Sequence, residues 1–209
     1  MYTLWIANKN YSSWSLRPWI LLKALQIPFE ENICFFENGK SSHKKFSRFS
    51  PSGLVPCLID GDKTIWDSLA ICEYVAEDFP QVWPTEKSAR AWARCASAEM
   101  HAGFTALRQQ CPMNVTRNEP LTEISHELQG NLNRIQQLWQ EGFDKFEGPW
   151  LAGKHFTAVD AFFAPVAFRI QSYQLKVNEQ VQQWIERIIA LPAMQEWKHA
   201  AEIEPSIEH

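Results

Sequence analysis

The sequence predicts a small α/β domain followed by an all-helical domain. Segments of strand and helix character alternate through residue 79, in the order βαβ and then αββα. Residues 80–86 contain two prolines and have the composition of a linker. Beyond them, apolar residues recur at helical spacing and no convincing strand follows. We therefore expect an α/β domain over residues 1–79, a linker over 80–86 and a helical bundle over 87–209.

Composition narrows the class of protein. The chain has 209 residues, 45% of them hydrophobic, and a net charge of -4. These values fit a globular protein with a sizeable core and give no reason to expect a nucleic acid or a membrane as partner. The start of the chain lacks the features of a signal peptide, and no apolar run is long enough to span a bilayer. We expect a cytoplasmic protein.

The five cysteines are odd in number, and no two of them form a Cys-x-x-Cys pair. All five fall in apolar stretches of the sequence. This pattern favours reduced, mostly buried thiols over a disulfide framework or a zinc site. We expect no bound metal.

The first elements follow from local patterns. Residues 2–6 alternate as a strand should, and residues 13–26 carry apolar positions at helical spacing. Residues 29–36 are predicted to form a second strand, and residues 42–49 a short irregular helix.

The centre of the first domain is the stretch around Val55-Pro56. An apolar strand follows at once, residues 60–62 form a turn, and Asp67-Ser68 opens a helix over residues 68–79. Proline cannot donate to a sheet ladder, and a cis bond here would turn the chain and leave the Val55 main-chain groups facing outward. We expect the Val55-Pro56 bond to be cis.

This arrangement is similar to the glutathione-binding signature of the cytosolic glutathione S-transferase superfamily, in its bacterial type. The resemblance covers nearly the whole chain. It implies a thioredoxin-like N-terminal domain and an all-α helical-bundle C-terminal domain. It also implies a homodimeric detoxification enzyme that uses glutathione as co-substrate and activates its thiol for attack on, or isomerisation of, a small electrophile.

The stretch from Tyr11 to Arg17 resembles the Ser-Ser-Cys-x-x-Arg motif of the zeta class. A free thiol with a pKa of about 8.5 is only a few per cent ionised at neutral pH, so the enzyme must stabilise the thiolate. By the resemblance, Ser12 takes the place of the stabilising serine and Ser13 follows it. Tyr11 is a competing donor, because other classes use a tyrosine near the first strand. The alternative is a purely structural role, in which the serines only cap the helix.

The chain departs from the zeta pattern at Trp14, where that class has cysteine. This departure argues against a maleylacetoacetate isomerase, and against an omega-like thioltransferase, which needs a cysteine near this point.

The resemblance also implies how the tripeptide is held. Val55, after which Pro56 fixes the turn, would pair main chain to main chain with the cysteinyl unit. Ser68 would bind the γ-glutamyl carboxylate, and Asp67 would help to hold the same end. His43 or Lys44 would face the glycine carboxylate, with a solvated loop charge as the alternative for each.

The second substrate is expected between the domains, against the fourth helix. The side chains predicted to line its pocket are Trp14, Met100, His101, Phe104 and Arg108. Met100 and Phe104 have helical spacing and are alternatively core residues. Arg108 would attract an acidic electrophile or else face water.

Two apolar seams predict antiparallel helices in the second domain. The first consists of Ala89, Ala93, Ala96, Met100, Gly103 and Leu107, and the second of Leu128, Leu132, Ile135, Trp139, Gly142 and Phe146. A Thr157-x-x-Asp160 capping box, the second hallmark of the family, should start a buried helix over residues 158–172. Two more helices are predicted over residues 178–190 and 193–200.

Two other functions fit the same pattern. One is a glutathione-fold binding or regulatory module without turnover, and the other is a glutathione-dependent peroxidase. The presence of Ser12 together with Val55-Pro56 and Asp67-Ser68 favours an enzyme over the module.

Overall fold

A mixed sheet of four strands forms the centre of the first half of the chain in the computed structural model, which describes residues 1–205. The strands are β1 (Tyr2–Ile6), β2 (Phe29–Ile33), β3 (Cys57–Asp60) and β4 (Lys63–Ile65), in the spatial order β2-β1-β3-β4. β1 pairs parallel with β2 and antiparallel with β3. Leu4 lies opposite Leu58 in this register, and both are fully buried. Residues 206–209 of the predicted helical domain lie outside the described residues.

Three helices belong to the same half: α1 (Ser13–Ala24), α2 (His43–Phe46) and α3 (Ser68–Asp78). The second half contains α4 (Lys87–Ala102), α5 (Thr105–Gln110), α6 (His126–Phe146), α7 (Ala158–Ser172), α8 (Glu179–Ile189) and α9 (Pro192–Ile203). Within residues 87–205 no strand forms. The predicted fold, α/β followed by all-helical, is confirmed.

The segment between α3 and α4 runs from residue 79 to residue 86 and contains one 3₁₀ turn, Pro80–Val82. The division of the chain into domains at this segment stays a prediction. Across it, α1 packs along α7, which is the most deeply buried helix of the second half. The nearly continuous apolar sequence of α7 explains why it is buried on all sides.

Helix α7 begins at the predicted capping box. The Asp160 carboxylate accepts the Thr157 N–H at 3.1 Å, the Leu151 N–H at 3.0 Å and the Trp184 Nε1–H at 3.0 Å. The Thr157 hydroxyl faces the helix as in a capping box, although its oxygen makes no hydrogen bond of normal geometry within residues 1–205. Asp160 is fully buried, and burial raises its pKa from 3.8 to about 6. This box therefore ties three segments of the helical half together.

The Val55-Pro56 bond is cis, which confirms the prediction. The bond between Trp66 and Asp67 is also cis.

Two elements of the first half are shorter than predicted. β2 ends at Ile33 instead of residue 36, because Ile33 pairs with Ile6, the last residue of β1, and the ladder has no further partner. The short helix covers residues 43–46 and not 42–49, since Ser47 to Phe49 continue as turns.

The first predicted seam does not lie on a single helix. α4 ends at Ala102, and Phe104 adopts left-handed backbone angles with φ of 60°, so Leu107 belongs to α5. Arg108 stabilises this break, because its Nε and Nη2 atoms donate to the carbonyl oxygens of Gly103 and Met100 at the end of α4.

The five cysteines are free thiols. Three of them are buried and Cys34 is partly exposed, but Cys95 faces solvent, which corrects the expectation of apolar surroundings for all five. Within the described part of the chain, no helix has the length and hydropathy to cross a membrane, and no three His, Cys, Asp or Glu side chains converge as metal ligands would.

Candidate active site

The start of α1 carries the predicted thiol-activating residues. Ser12 occupies the N-cap position and is 4% exposed, but its side chain makes no capping bond. Its hydroxyl donates instead to Ser15 Oγ at 2.7 Å, and Ser15 Oγ also accepts the Ala7 N–H at 3.2 Å. Ser13 is the first residue of the helix and is buried. The geometry therefore does not support the alternative that Ser12 serves only as a side-chain cap.

Two cavities flank this helix start. A cavity of about 270 Å³ is lined by Trp14, Ser52, Leu54, Val55, Pro56, Trp66 and Asp67. A second cavity of about 710 Å³ is lined by Tyr11, Phe36, Glu37, Gly39, Lys40, Ser41, Ser42, His43, Phe46, Gly53 and Leu54. Leu54 contributes to both and is 62% exposed. Ser12 and Ser13 lie in the chain between Tyr11 of one cavity and Trp14 of the other.

The larger cavity distinguishes between His43 and Lys44, the two residues predicted to bind the glycine carboxylate. His43 lines it, whereas Lys44 is exposed and is not among the lining residues. The His43 ring packs against Gly53, where an added Cβ would lie 2.4 Å from the ring. Gly53 also has φ of +64°, so both its backbone and its neighbour require glycine.

Asp67, the N-cap residue of α3, lines the smaller cavity, whereas Ser68 is not among its lining residues. Asp67 caps the helix by accepting the Leu69 N–H at 3.1 Å, and its other oxygen lies 3.2 Å from His101 Nε2 on α4. Ser68 is fully buried, and its hydroxyl has no hydrogen-bond partner within the described chain. An unpaired hydroxyl at a helix N-terminus is suited to binding a carboxylate.

The expected second-substrate residues separate into two groups. Trp14, His101 and Arg108 form the first group. The Trp14 and His101 rings meet edge-on with centroids 5.1 Å apart, and the Arg108 guanidinium lies 4.7 Å from the centroid of the Trp14 ring. Met100 has no exposed surface and Phe104 is also buried, so both belong to the core rather than to an open pocket. Arg108 is only partly exposed, because its guanidinium is held by the end of α4.

Sequence reasoning assigned no role to several residues of this region. Leu54, Ser52 and Trp66 line the smaller cavity, and the exposed apolar Leu54 next to Val55 was the available signal. Arg17 was placed within the helix, but its complete burial between Trp14 and Phe162 depends on α7 and had no local signal.

Comparison with known proteins decides the family. The family model described as glutathione S-transferase, N-terminal domain, matches residues 11–78. The model for the glutathione S-transferase C-terminal domain matches residues 96–192. The chain belongs to the glutathione S-transferase superfamily. The predicted family is thereby confirmed, and its two matched regions contain every residue proposed above for the site.

Individual relatives of this transferase span nearly its full length. A probable maleylacetoacetate isomerase from Vibrio cholerae is 27% identical over 92% of each chain. The glutathione S-transferase GstB from Escherichia coli is 24% identical over 93% of this chain and 96% of its own.

Solved structures show the same fold. A Burkholderia glutathione transferase homolog, solved with bound glutathione, has a TM-score of 0.74 at 22% identity and covers 97% of this chain and 99% of its own. A diazinon-metabolizing glutathione S-transferase from the silkworm Bombyx mori has a TM-score of 0.75 at 15% identity and covers 98% and 100%.

Proposed function

We propose that this protein is a glutathione transferase that ionises the glutathione thiol and directs it at a small electrophile. The observation that carries the proposal is the position of the α1 N-terminus. Ser12 and Ser13 lie in the chain between residues of two cavities that share Leu54, and Val55 and Asp67 line one of them. Family membership supports the same function.

Ser12 is the proposed donor to the glutathione sulfur, with Ser13 and Tyr11 as alternatives. Lowering a thiol pKa by two units requires about 2.7 kcal/mol. A helix N-terminus contributes about 0.3–1 kcal/mol, and one charge-assisted hydrogen bond about 1.5–3 kcal/mol. The Ser12 hydroxyl would exchange its present acceptor, Ser15 Oγ, for the sulfur.

The rest of glutathione would extend across both cavities. Val55 would pair with the cysteinyl unit beside Pro56, while Ser68 and Asp67 would bind the γ-glutamyl end. His43 is favoured over Lys44 for the glycine carboxylate because it lines the larger cavity. The electrophile would lie at Trp14 and His101, near Arg108, where the two halves of the chain meet.

Conjugation is favoured over isomerisation for this chain. The Vibrio cholerae relative is named as a probable isomerase, but Trp14 stands where the zeta class has cysteine. We also propose that the protein is a homodimer and lies in the cytoplasm, both of which the family resemblance supports. Light scattering would test the oligomeric state.

Retention on immobilised glutathione, followed by assays with chlorodinitrobenzene and with a hydroperoxide, tests the proposal. A transferase is retained and conjugates chlorodinitrobenzene. Retention without turnover would indicate the binding module, and turnover of the hydroperoxide alone would indicate a peroxidase. A protein that is not retained would refute the glutathione site itself.

A further inference from the structure

Arg17 is a fully buried arginine that has no hydrogen-bond partner in the described part of the chain. It is 0% exposed, and its Nε, Nη1 and Nη2 atoms all lack an acceptor within residues 1–205. Its guanidinium lies 4.1 Å from the Trp14 ring centroid and 5.0 Å from that of Phe162. Arginine keeps its proton in proteins, so this position holds a permanent charge.

Two more guanidiniums increase the positive charge at this place. Arg108 and Arg169 lie close enough to lower the pKa of Arg17 further, in addition to the larger effect of burial. Each of them has a buried Nη1 with no acceptor in the described chain. The one carboxylate that acts on Arg17 in the described chain, that of Asp67, is already engaged by His101 at 3.2 Å.

Such an arrangement is costly for the protein alone. A buried charge is normally paired and hydrogen-bonded, and contact with aromatic faces offsets only part of the lost hydration. An anion from outside the chain would supply the missing acceptors. Carboxylates match the planar guanidinium well, because two parallel N–H groups can bind both oxygens.

Trp14 connects this charge to the candidate active site. Its ring lies against both Arg17 and Arg108, and the same residue lines the smaller cavity together with Asp67 and Val55. Arg108 is the shallower cation, since the residue is partly exposed; backbone carbonyls at the end of α4 hold its Nε and Nη2, and its Nη1 is buried without an acceptor in the described chain. Arg17 lies deeper, and its positive charge adds to the electrostatic attraction of an anion. The Trp14 ring must turn for a ligand to meet either guanidinium.

We propose that the second substrate of this transferase carries a carboxylate, which binds at Trp14 against Arg108 and Arg17. This inference rests on the proposed function and names its substrate class. A carboxylate here could come from the electrophile or from the γ-glutamyl end of glutathione. The electrophile is favoured, because the buried hydroxyl of Ser68 at the start of α3 already offers the γ-glutamyl group a separate partner.

A matched pair of electrophiles tests the proposal. Chlorodinitrobenzoate differs from chlorodinitrobenzene by one carboxylate, so the ratio of their kcat/KM values measures the preference for the anion. We expect wild type to prefer the benzoate, and we expect Arg108→Gln and Arg17→Met to lower that ratio by about ten-fold or more, as the loss of a charged hydrogen bond should. Arg187→Gln on α8, whose guanidinium donates a hydrogen bond only to the Pro149 carbonyl within residues 1–205, should leave the ratio unchanged.

The outcomes separate the two sources of carboxylate. A ratio that is equal in all four proteins would overturn the proposal. A loss of glutathione affinity in Arg108→Gln with an unchanged ratio would assign the cations to glutathione, and would overturn it as well. If Arg17→Met does not fold, Arg108→Gln decides alone.

Equilibrium binding keeps this test independent of turnover. Dinitrobenzoate and dinitrobenzene lack the leaving group and can be titrated calorimetrically into the glutathione complex. Tighter binding of the benzoate, lost in Arg108→Gln, would support the anion site even if no conjugation occurs. Equal binding of the two compounds by wild type would refute it while leaving glutathione binding intact.

Discussion

Glu204, just beyond the end of α9, accepts the main-chain N–H of Lys9 at 2.7 Å. Its second oxygen accepts the N–H of Asn10 at 3.1 Å, and Trp197 donates its indole N–H to the Lys9 carbonyl at 2.8 Å. The loop that leads from β1 to Tyr11 and Ser12 is therefore held by the other end of the chain. This contact couples the C-terminal helix to the proposed thiol site.

We predict that Glu204→Ala destabilises the protein by about 1–3 kcal/mol, because two main-chain donors lose their acceptor. Urea unfolding measures this change, and hydrogen exchange should become faster at the amides of Lys9 and Asn10. Glu202→Ala is the matched control, since that exposed carboxylate contacts His199 at 3.8 Å and leaves the loop untouched. Equal stability of the two variants would show that the contact contributes nothing.

The proposed thiolate donor leads to a prediction about bound glutathione. Ser12→Ala removes one hydrogen bond to the sulfur, worth about 1.5–3 kcal/mol, so the pKa of the bound thiol should rise by roughly one to two units. Turnover should fall by about ten-fold or more near pH 6.5 and recover in part near pH 9, where the thiol ionises unaided. Thiolate absorbance against pH in the binary complex measures the shift.

The neighbouring hydroxyls supply the controls for Ser12. We expect Ser13→Ala to shift the thiol pKa less than Ser12→Ala, and Tyr11→Phe to shift it least. A titration that moves in Tyr11→Phe and not in Ser12→Ala would assign the donor to the tyrosine. If none of the three variants moves it, the helix N-terminus and backbone N–H groups set the thiol pKa.

Local sequence patterns correctly predicted the features that depend on residues close together in the chain. The Val55-Pro56 bond, the turn before β4 and the capping box at Asp160 all depend on residues that are close in the chain. Their outcome in the structure agrees with the prediction because short-range sterics and hydrogen bonding decide it.

Features that depend on contacts between distant residues could not be predicted from local sequence patterns. The period of the first apolar seam continues past Gly103, yet the helix ends there and the Arg108 side chain satisfies its terminal carbonyls. The burial of Arg17 depends on Phe162, and the contact between Glu204 and Lys9 joins residues from opposite ends of the sequence. Such contacts follow from the packing of α7 and α9 and not from propensity.

The buried carboxylate of Asp160 leads to a stability prediction. Asp160→Ala leaves the donors of Thr157, Leu151 and Trp184 without an acceptor, and each buried unpaired donor costs about 1–3 kcal/mol, so a loss of at least about 3 kcal/mol is expected. Asp144→Ala on α6 is the control, since that exposed carboxylate accepts only from Gln140 within residues 1–205. A normal melting temperature with lost activity would show that Asp160 is functional instead of structural.

The raised pKa of Asp160 also predicts how stability changes with pH. Because the folded protein holds this proton up to about pH 6 and the unfolded chain releases it near 3.8, the stabilising contribution is complete below pH 3.8 and is lost as pH rises through 6. The difference of about two units corresponds to about 3 kcal/mol. Asp160→Asn cannot titrate, so the unfolding free energy of wild type minus that of the variant should decline by up to this amount between about pH 4 and pH 7. Urea unfolding of both proteins at a series of pH values measures the decline, and a difference that stays constant or grows with pH would contradict the assignment of a raised pKa to Asp160.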